Sequence, residues 1–235
     1  MTTLVALDPA VHCDLRVDTR PDAALGDWLA AVGVVPAEFA ALIAAYPIFL
    51  RKNTHTGQFE PCALVGLAAG ENLFVADGVW DAGYIPLQRQ SQPFALMPDG
   101  AGGRALAIDP ASPRLGTALG EILFTATGHA SAHLAQVRGM LEALLAGSRV
   151  AHAWTARLEA LDLIEPVTLD LAFADRSEAR LDGLYTVRAE GLRALAGPAL
   201  AALHRDGYLE LCWYQQASLV HVQSLLARKN RRLAG

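Results

Sequence analysis

Two hydrophobic periods divide this chain. Between Tyr46 and Leu96 short apolar runs alternate with turn residues, as in a series of strands. From Leu134 to Leu161 apolar residues recur at helical spacing. In the first stretch residues 53–57 separate two apolar runs, and Asp77-Gly78 separates two more. Asp-Gly between apolar segments is a strong hairpin signal, because both central positions of the turn need φ > 0. Residues 47–97 therefore read as an antiparallel meander in which 72–76 pairs with 79–83. Pro61, Pro86 and Pro93 mark edges, bulges or strand starts within it, since proline supplies no ladder donor.

The helical period rests on Leu134, Val137, Leu141, Leu144 and Leu145, then Val150, Trp154, Leu158 and Leu161, with Gly147 placed to split or kink the helix. After Pro166, Val167, Leu169, Leu171 and Phe173 alternate with Thr168, Asp170 and Ala172, the mark of a half-buried strand. Residues 175–177 turn the chain and 180–187 return, giving a second hairpin. Helices are predicted at 189–195 and at 198–206, with Pro198 in the first turn of the latter and Gly207 ending it. Helix is favoured over strand at 208–214. Residues 215–230 follow as a helix with Leu219, Val222, Leu225 and Leu226 as its apolar face. Ahead of the meander, residues 2–20 read as extended or irregular. Asp22 caps a short helix that puts Leu25, Trp28 and Leu29 on one face, and Pro36 opens another that turns Phe39, Leu42 and Ile43 inward. With no repeat, low-complexity tract or linker, the expected fold is α+β: an antiparallel β-meander and a second β-hairpin packed with several helices, as one domain over residues 1–235.

Composition narrows the class. Of 235 residues 53% are hydrophobic, enough for a sizeable core and against disorder. The 19 basic and 24 acidic residues leave a formal charge of −5, which argues against a dedicated nucleic-acid binder. Cys13, Cys62 and Cys212 are isolated and odd in number, and no CxxC occurs, which suits a reducing compartment. The first residues lack a basic start followed by an apolar core, and no apolar run is long enough to span a membrane. A cytoplasmic protein with no membrane span is expected.

Candidate chemistry is sparse. Gly100, Gly102 and Ala105 match G-x-G-x-x-[GA] in form, yet a strand follows the glycines where pyrophosphate binding needs a helix N-terminus, so a surface loop is expected. His129 and His133 stand four apart, but Ala130 occupies the position a metalloprotease glutamate would need, so no metal is expected. Ser131 and Ser148 lack a nucleophile elbow, and Cys62 sits in an apolar run as packing rather than an activated thiolate. No cofactor is implied. Arg228, Lys229, Arg231 and Arg232 form a basic end that complements a helix C-terminus. The remaining candidates are Arg51 and Lys52 at the end of the first meander strand, Trp80 and Tyr84 after the Asp-Gly turn, and Arg89. Cations beside amphipathic aromatics suit an anionic or aromatic small ligand or a protein segment. The alternative is that Trp80 and Tyr84 fill the core while the cations are solvated or cover apolar surface.

A set of local motifs resembles the SapC family of bacterial proteins. These are YPIFLRK from Tyr46, GQFEPCALVGL from Gly57, GENLFV from Gly70, then Trp80, Gly83 and Tyr84, and PFAL from Pro93. LDGLYTV from Leu181, ALHRDGYLEL from Ala202 and a pattern over residues 12–17 extend the likeness over nearly the whole chain. It departs in the loop 97–104 and at the basic C-terminal end. The resemblance implies association with surface-layer or outer-membrane uptake systems, and it carries over no catalytic residues. Two functions follow as expectations: a cytoplasmic accessory or binding protein of a bacterial cell-surface or nutrient-uptake system, or an enzyme modifying a peptide or small molecule with a site built from scattered residues. A DNA-binding regulator fits the negative charge least.

Overall fold

The computed structural model describes residues 3–100, 102–116 and 118–234. The fold is α+β. Two compact units share the chain: residues 1–28, 75–81 and 87–145 form the first, and residues 29–74, 82–86 and 146–235 the second. In chain order come β1 (Val5–Ala6), α1 (Pro9–His12), β2 (Arg16–Val17), β3 (Ala31–Gly33), α2 (Phe39–Leu42), β4 (Ile48–Lys52) and β5 (Phe59–Leu64). Then follow β6 (Val75–Ala76), β7 (Val79–Trp80), α3 (Leu87–Gln90), β8 (Phe94–Pro98), β9 (Arg104–Ile108), β10 (Leu115–Gly116) and β11 (Glu121–Ile122). The last elements are α4 (Ala132–Ala160), β12 (Ile164–Ala172), β13 (Glu178–Val187), α5 (Ala189–Ala194), α6 (Gly197–Arg205), α7 (Tyr208–Ser218) and α8 (His221–Ala234). Among the described residues no helix is long and apolar enough to cross a membrane.

The second unit is built on one five-stranded sheet in the order β12-β13-β4-β5-β3. The two runs that residues 53–57 separate pair as β4 and β5, the hairpin read at 167–187 is β12 and β13, and these two hairpins are neighbours in the sheet. β13 joins β4 through Leu184 opposite Arg51 and Tyr185 opposite Leu50. The register of β12 and β13 shifts at this place: Asp182 and Gly183 together oppose Thr168, with Gly183 at φ +73°. This is a bulge, and a glycine absorbs the left-handed backbone it requires. On the other side of the two joining pairs β13 leaves β4, and the fork would strand buried backbone groups. α7 fills it. Gln215 Nε2 donates to the Ile48 carbonyl at 2.8 Å, and its Oε1 accepts from the Val187 N–H at 3.2 Å. Ser218 Oγ accepts from the Ile48 N–H at 2.9 Å. These fully buried polar side chains complete the ladder where no strand is available.

α4 is a single helix of 29 residues, opened by Ser131, whose Oγ accepts from the Leu134 N–H. Gly147 neither splits nor ends it. A Cβ there would lie 2.5 Å from the Val35 Cβ, so glycine allows the helix to pass close to Val35. About two turns later Trp154 is fully buried, edge-on to Phe39 at 5.6 Å.

The first unit holds the sheets β1-β9-β8 and β10-β2-β11 and the two-stranded β6-β7. Its core gathers Val17, Phe94, Ile108, Leu123, Leu134 and Val137. The strands expected to form one meander thus belong to three separate sheets. The reason lies at 66–74, where side chains take over from strand pairing. Glu71 Oε2 accepts from the Leu67 N–H and Asn72 Oδ1 from the Phe74 N–H, each at 2.9 Å. The hairpin at Asp77-Gly78 is present but short, pairing only Val75 with Trp80 and Ala76 with Val79. Gly100 and Gly102 lie in the turn between antiparallel β8 and β9, so no helix N-terminus follows them; Ala101, inside that motif, lies outside the described residues. Asp22 does cap, through the Ala24 N–H, but only a three-residue 3-10 turn that Gly26 closes at φ +93°. Trp28 and Leu29 consequently stand 51% and 42% exposed instead of facing inward.

Asp77 and Gly78 have φ of 51° and 74°, the left-handed pair that a two-residue hairpin turn needs. Gly78→Val should lower stability by about 1–2 kcal/mol or more, because a β-branched side chain is strained at positive φ. Urea unfolding of the variant against the parent measures it, and Gly78→Asn, which tolerates this region, should lose much less.

Candidate functional site

β4 ends with two cations where its ladder with β5 also ends. Ile48, Phe49 and Leu50 are buried, and Arg51 and Lys52 emerge into solvent. Lys52 lies opposite Phe59, and its Nζ stands 5.2 Å from the centre of that ring. Phe59 in turn meets Tyr185 edge-on at 4.9 Å. Arg51 is flanked across the sheet by Glu60 on one side and Leu184 on the other. The turn beyond is held by Asn53, whose Oδ1 accepts from the His55 and Thr56 N–H groups while its Nδ2 donates to Glu60 at 2.9 Å. Two exposed cations, a carboxylate and an aromatic pair therefore sit on a rigid strand end rather than on a free loop.

Tyr84 has other partners. Its hydroxyl donates to Glu38 Oε1 at 3.1 Å, and its carbonyl accepts from the Tyr46 hydroxyl at 2.5 Å. Glu38 is buried and accepts the Val35 N–H through Oε2, tying down the turn that Pro36 opens. Burial first, and the neighbouring Glu38 charge second, push the Tyr84 phenol well above its ordinary range. It is a neutral donor at any physiological pH.

Trp80 and Arg89 belong to the first unit. Trp80 is buried opposite Val75. Arg89 is only 5% exposed and shares the Asp27 carboxylate with Arg114. Arg114 Nη2 donates to Asp27 Oδ1 at 2.7 Å and Arg89 Nη2 to Oδ2 at 2.9 Å. The same two guanidinium groups reach the carbonyls of Asp18, Thr19 and Arg20. Two buried cations are thus neutralised by one carboxylate and a row of carbonyl dipoles. Burial lowers the Arg89 pKa, and Asp27 works against that shift. The sequence reading missed Asp27 and Arg114, and no local signal marks them: the three residues are tens of positions apart and share no period.

Of the five residues singled out from sequence, Lys52 stands with Phe59 and Tyr185 on one face of the sheet, and Arg51 with Glu60 and Leu184 on the other. Tyr84 is bound to Glu38 and Tyr46, and Arg89 to Asp27 and Arg114. The histidine pair separates. His129 lies ahead of α4, while His133 is in its first turn, with its ring 6.2 Å from that of Phe94. Cys62 is buried and its thiol is pushed up to about 12 by loss of solvation, which suits packing and not nucleophilic attack. Among the described residues no three His, Cys, Asp or Glu side chains group so as to hold a metal ion. At the basic end Arg228 stacks 4.3 Å over the Phe74 ring and Lys229 Nζ meets Glu71 Oε1 at 2.6 Å, so these two cations are engaged in packing.

Arg89→Ala should destabilise the chain by about 3–5 kcal/mol, since it breaks a buried charge cluster, while Arg51→Ala leaves the melting temperature unchanged. Chemical denaturation of the two variants separates the structural arginine from the surface one. A second expectation concerns pH. Burial lowers the His133 pKa from its ordinary 6.5, so the unfolded chain protonates first on acidification. The stability this residue confers is complete above pH 6.5 and is lost as pH falls from there through its folded value. His133→Gln should remove that component from the pH dependence of the urea midpoint.

The family model described as SapC matches residues 7–225 of the chain's 235. No curated protein and no solved structure matches it. The match runs through both units and takes in β4 and β5, the short Asp-Gly hairpin, the bulged β13 and the polar face of α7. The chain belongs to the SapC family.

Proposed function

We propose that this SapC family member is a cytoplasmic accessory or binding protein of a bacterial cell-surface or nutrient-uptake system, with residues 1–235 working as one domain. Its ligand is an anionic or aromatic small molecule, or a protein segment presenting such a group. The observation that carries this reading is the end of β4. Arg51 and Lys52 are adjacent and exposed there, with Lys52 over the Phe59 ring and Phe59 braced by Tyr185. Successive strand residues point to opposite faces, so a carboxylate or phosphate meets the Lys52 ammonium beside the aromatic edge, while Arg51, on the face of Glu60, adds charge from the other side. Because both cations are solvated, attraction is moderate and falls with salt. Tyr84, Trp80 and Arg89, also singled out from the sequence, each fix a segment of their own unit. The family match across both units supports treating them as one functional whole.

The test compares the parent with an Arg51→Ala/Lys52→Ala double variant against a panel of carboxylates, phosphates and anionic peptides by titration calorimetry. We expect at least one class to bind the parent, to weaken tenfold or more in the variant, and to weaken with added salt, at unchanged melting temperature. Equal binding by both proteins would overturn the reading.

A further inference from the structure

Residues 208–234 contain neither glycine nor proline, so nothing in them forbids one continuous helix, although Ser218, Val220, His221 and Val222 are only middling helix formers. The structure nevertheless breaks this stretch between α7 and α8. Leu219 keeps helical angles, φ −64° and ψ −21°, and the break is made only of tightened turns: Leu219 N–H to the Gln216 carbonyl, Val222 N–H to Leu219 and Gln223 N–H to Val220. No residue at the junction requires a bend, and Val220 stands 67% exposed there. The bend is imposed from outside. On one side Gln215 and Ser218 lock α7 into the strand fork. On the other, α8 is drawn onto a face made by Glu71, Phe74 and Phe173.

The attachment of α8 to that face is narrow. Leu225 is its one fully buried side chain among the described residues. Val222 and Leu226 are half-buried beside it, and its polar contacts include His221 Nε2 to the Ile43 carbonyl at 2.8 Å, Lys229 Nζ to Glu71 Oε1 at 2.6 Å and to the Phe173 ring at 5.7 Å, the Arg228 guanidinium 4.3 Å over Phe74, and Asn230 Oδ1 accepting from the Ala174 N–H at 2.9 Å. Simple release of α8 would expose Leu225 and leave the Glu71 carboxylate, 12% exposed, without its cation. Exchange carries no such loss. A second copy of this chain brings the same leucine, arginine, lysine and asparagine to the same face, while the junction straightens into a helix that no glycine or proline interrupts.

We infer that α8 is an exchangeable arm, and that the Glu71, Phe74 and Phe173 face takes α8 of a second copy, giving a domain-swapped dimer with a continuous α7–α8 helix. The partner copy then contributes the cation that pairs Glu71, so each face is complete only with the other chain's arm. Because the Leu225, Arg228, Lys229 and Asn230 contacts are the same in both forms and only the hinge, with the His221–Ile43 bond, differs, concentration is the main variable that sets their ratio.

The test uses the full chain with two different affinity tags. Tagged parents refolded together at high concentration are expected to co-purify as a dimer by light scattering, whereas folded parents mixed afterwards are not. Charge reversal then identifies the arm. Glu71→Lys and Lys229→Glu each place like charges at the contact in their own chain. Refolded together, the two variants restore opposite charges at both faces of a swapped heterodimer. That heterodimer should exceed both homodimers combined and melt above either variant alone. Val220→Gly, which weakens a continuous helix, should lower the dimer share. If refolded parents do not co-purify, or if the mixed variants behave as the sum of the separate ones, the arm is fixed in its own chain and the inference fails.

Discussion

The second unit depends on a two-residue strand pairing. Leu184 and Tyr185 against Arg51 and Leu50 are the sole ladder between β13 and β4, and they make one sheet of two hairpins about 130 residues apart in sequence. So short a junction cannot by itself satisfy the buried backbone around it. The Asp182-Gly183 bulge turns β13 away on one side, and Gln215 and Ser218 occupy the fork on the other. Buried polar side chains ordinarily cost stability. Here each is matched to a backbone group that would otherwise be orphaned, so removal of the glutamine would expose two costs together. The same junction fixes Tyr185 against Phe59, and through Phe59 the position of Lys52. The proposed binding end is therefore a consequence of how the sheet closes.

The first unit solves a different problem with charge. Its 18–27 segment is short of secondary structure, holding one three-residue 3-10 turn, and it has few apolar anchors of its own. Asp27 draws in Arg89 and Arg114, and Arg89 Nη2 and Arg114 Nη1 also donate to the carbonyls of residues 18–20. A buried ion cluster is a poor source of net stability compared with an apolar core, because desolvation offsets most of the attraction. Its value here is geometric: planar guanidinium groups satisfy several carbonyls at once, which no apolar side chain does.

What the sequence made legible was local. The Asp77-Gly78 turn, the alternation from Val167 to Phe173 and the helical run to Leu161 each depend on neighbours within a few residues, and each is present. What was not legible depended on distant partners. Gly147 has the composition signal of a helix break, yet its missing Cβ admits Val35 from over a hundred residues upstream. Arg89 reads as a surface cation until Asp27 and Arg114 are placed beside it. The meander was over-read because Glu71 and Asn72 look like strand residues but act through side-chain caps. At the candidate site the exposed pair Arg51-Lys52 was found, since a polar end to an apolar strand is a local signal. Phe59 and Tyr185 were not, since their meeting follows from the β13–β4 junction.

The α7–α8 junction is where local and distant preferences oppose one another. Every residue from Gln215 to Leu226 is compatible with one helix, and the apolar positions 219, 222, 225 and 226 would form a single stripe along it. The folded chain gives up that stripe's continuity: Leu225 alone is fully buried, and Val220 is left in solvent. What it gains is distributed among contacts of unlike kind, with Ser218 and Gln215 serving the sheet and His221 Nε2 donating to the Ile43 carbonyl at 2.8 Å. Local frustration of this sort is tolerated where tertiary contacts outweigh it, and it leaves the element nearer to an alternative arrangement than its neighbours are. The sheet side of the junction is locked by buried hydrogen bonds, and the outer side is held by Leu225, the His221 bond to Ile43 and the Glu71–Lys229 pair.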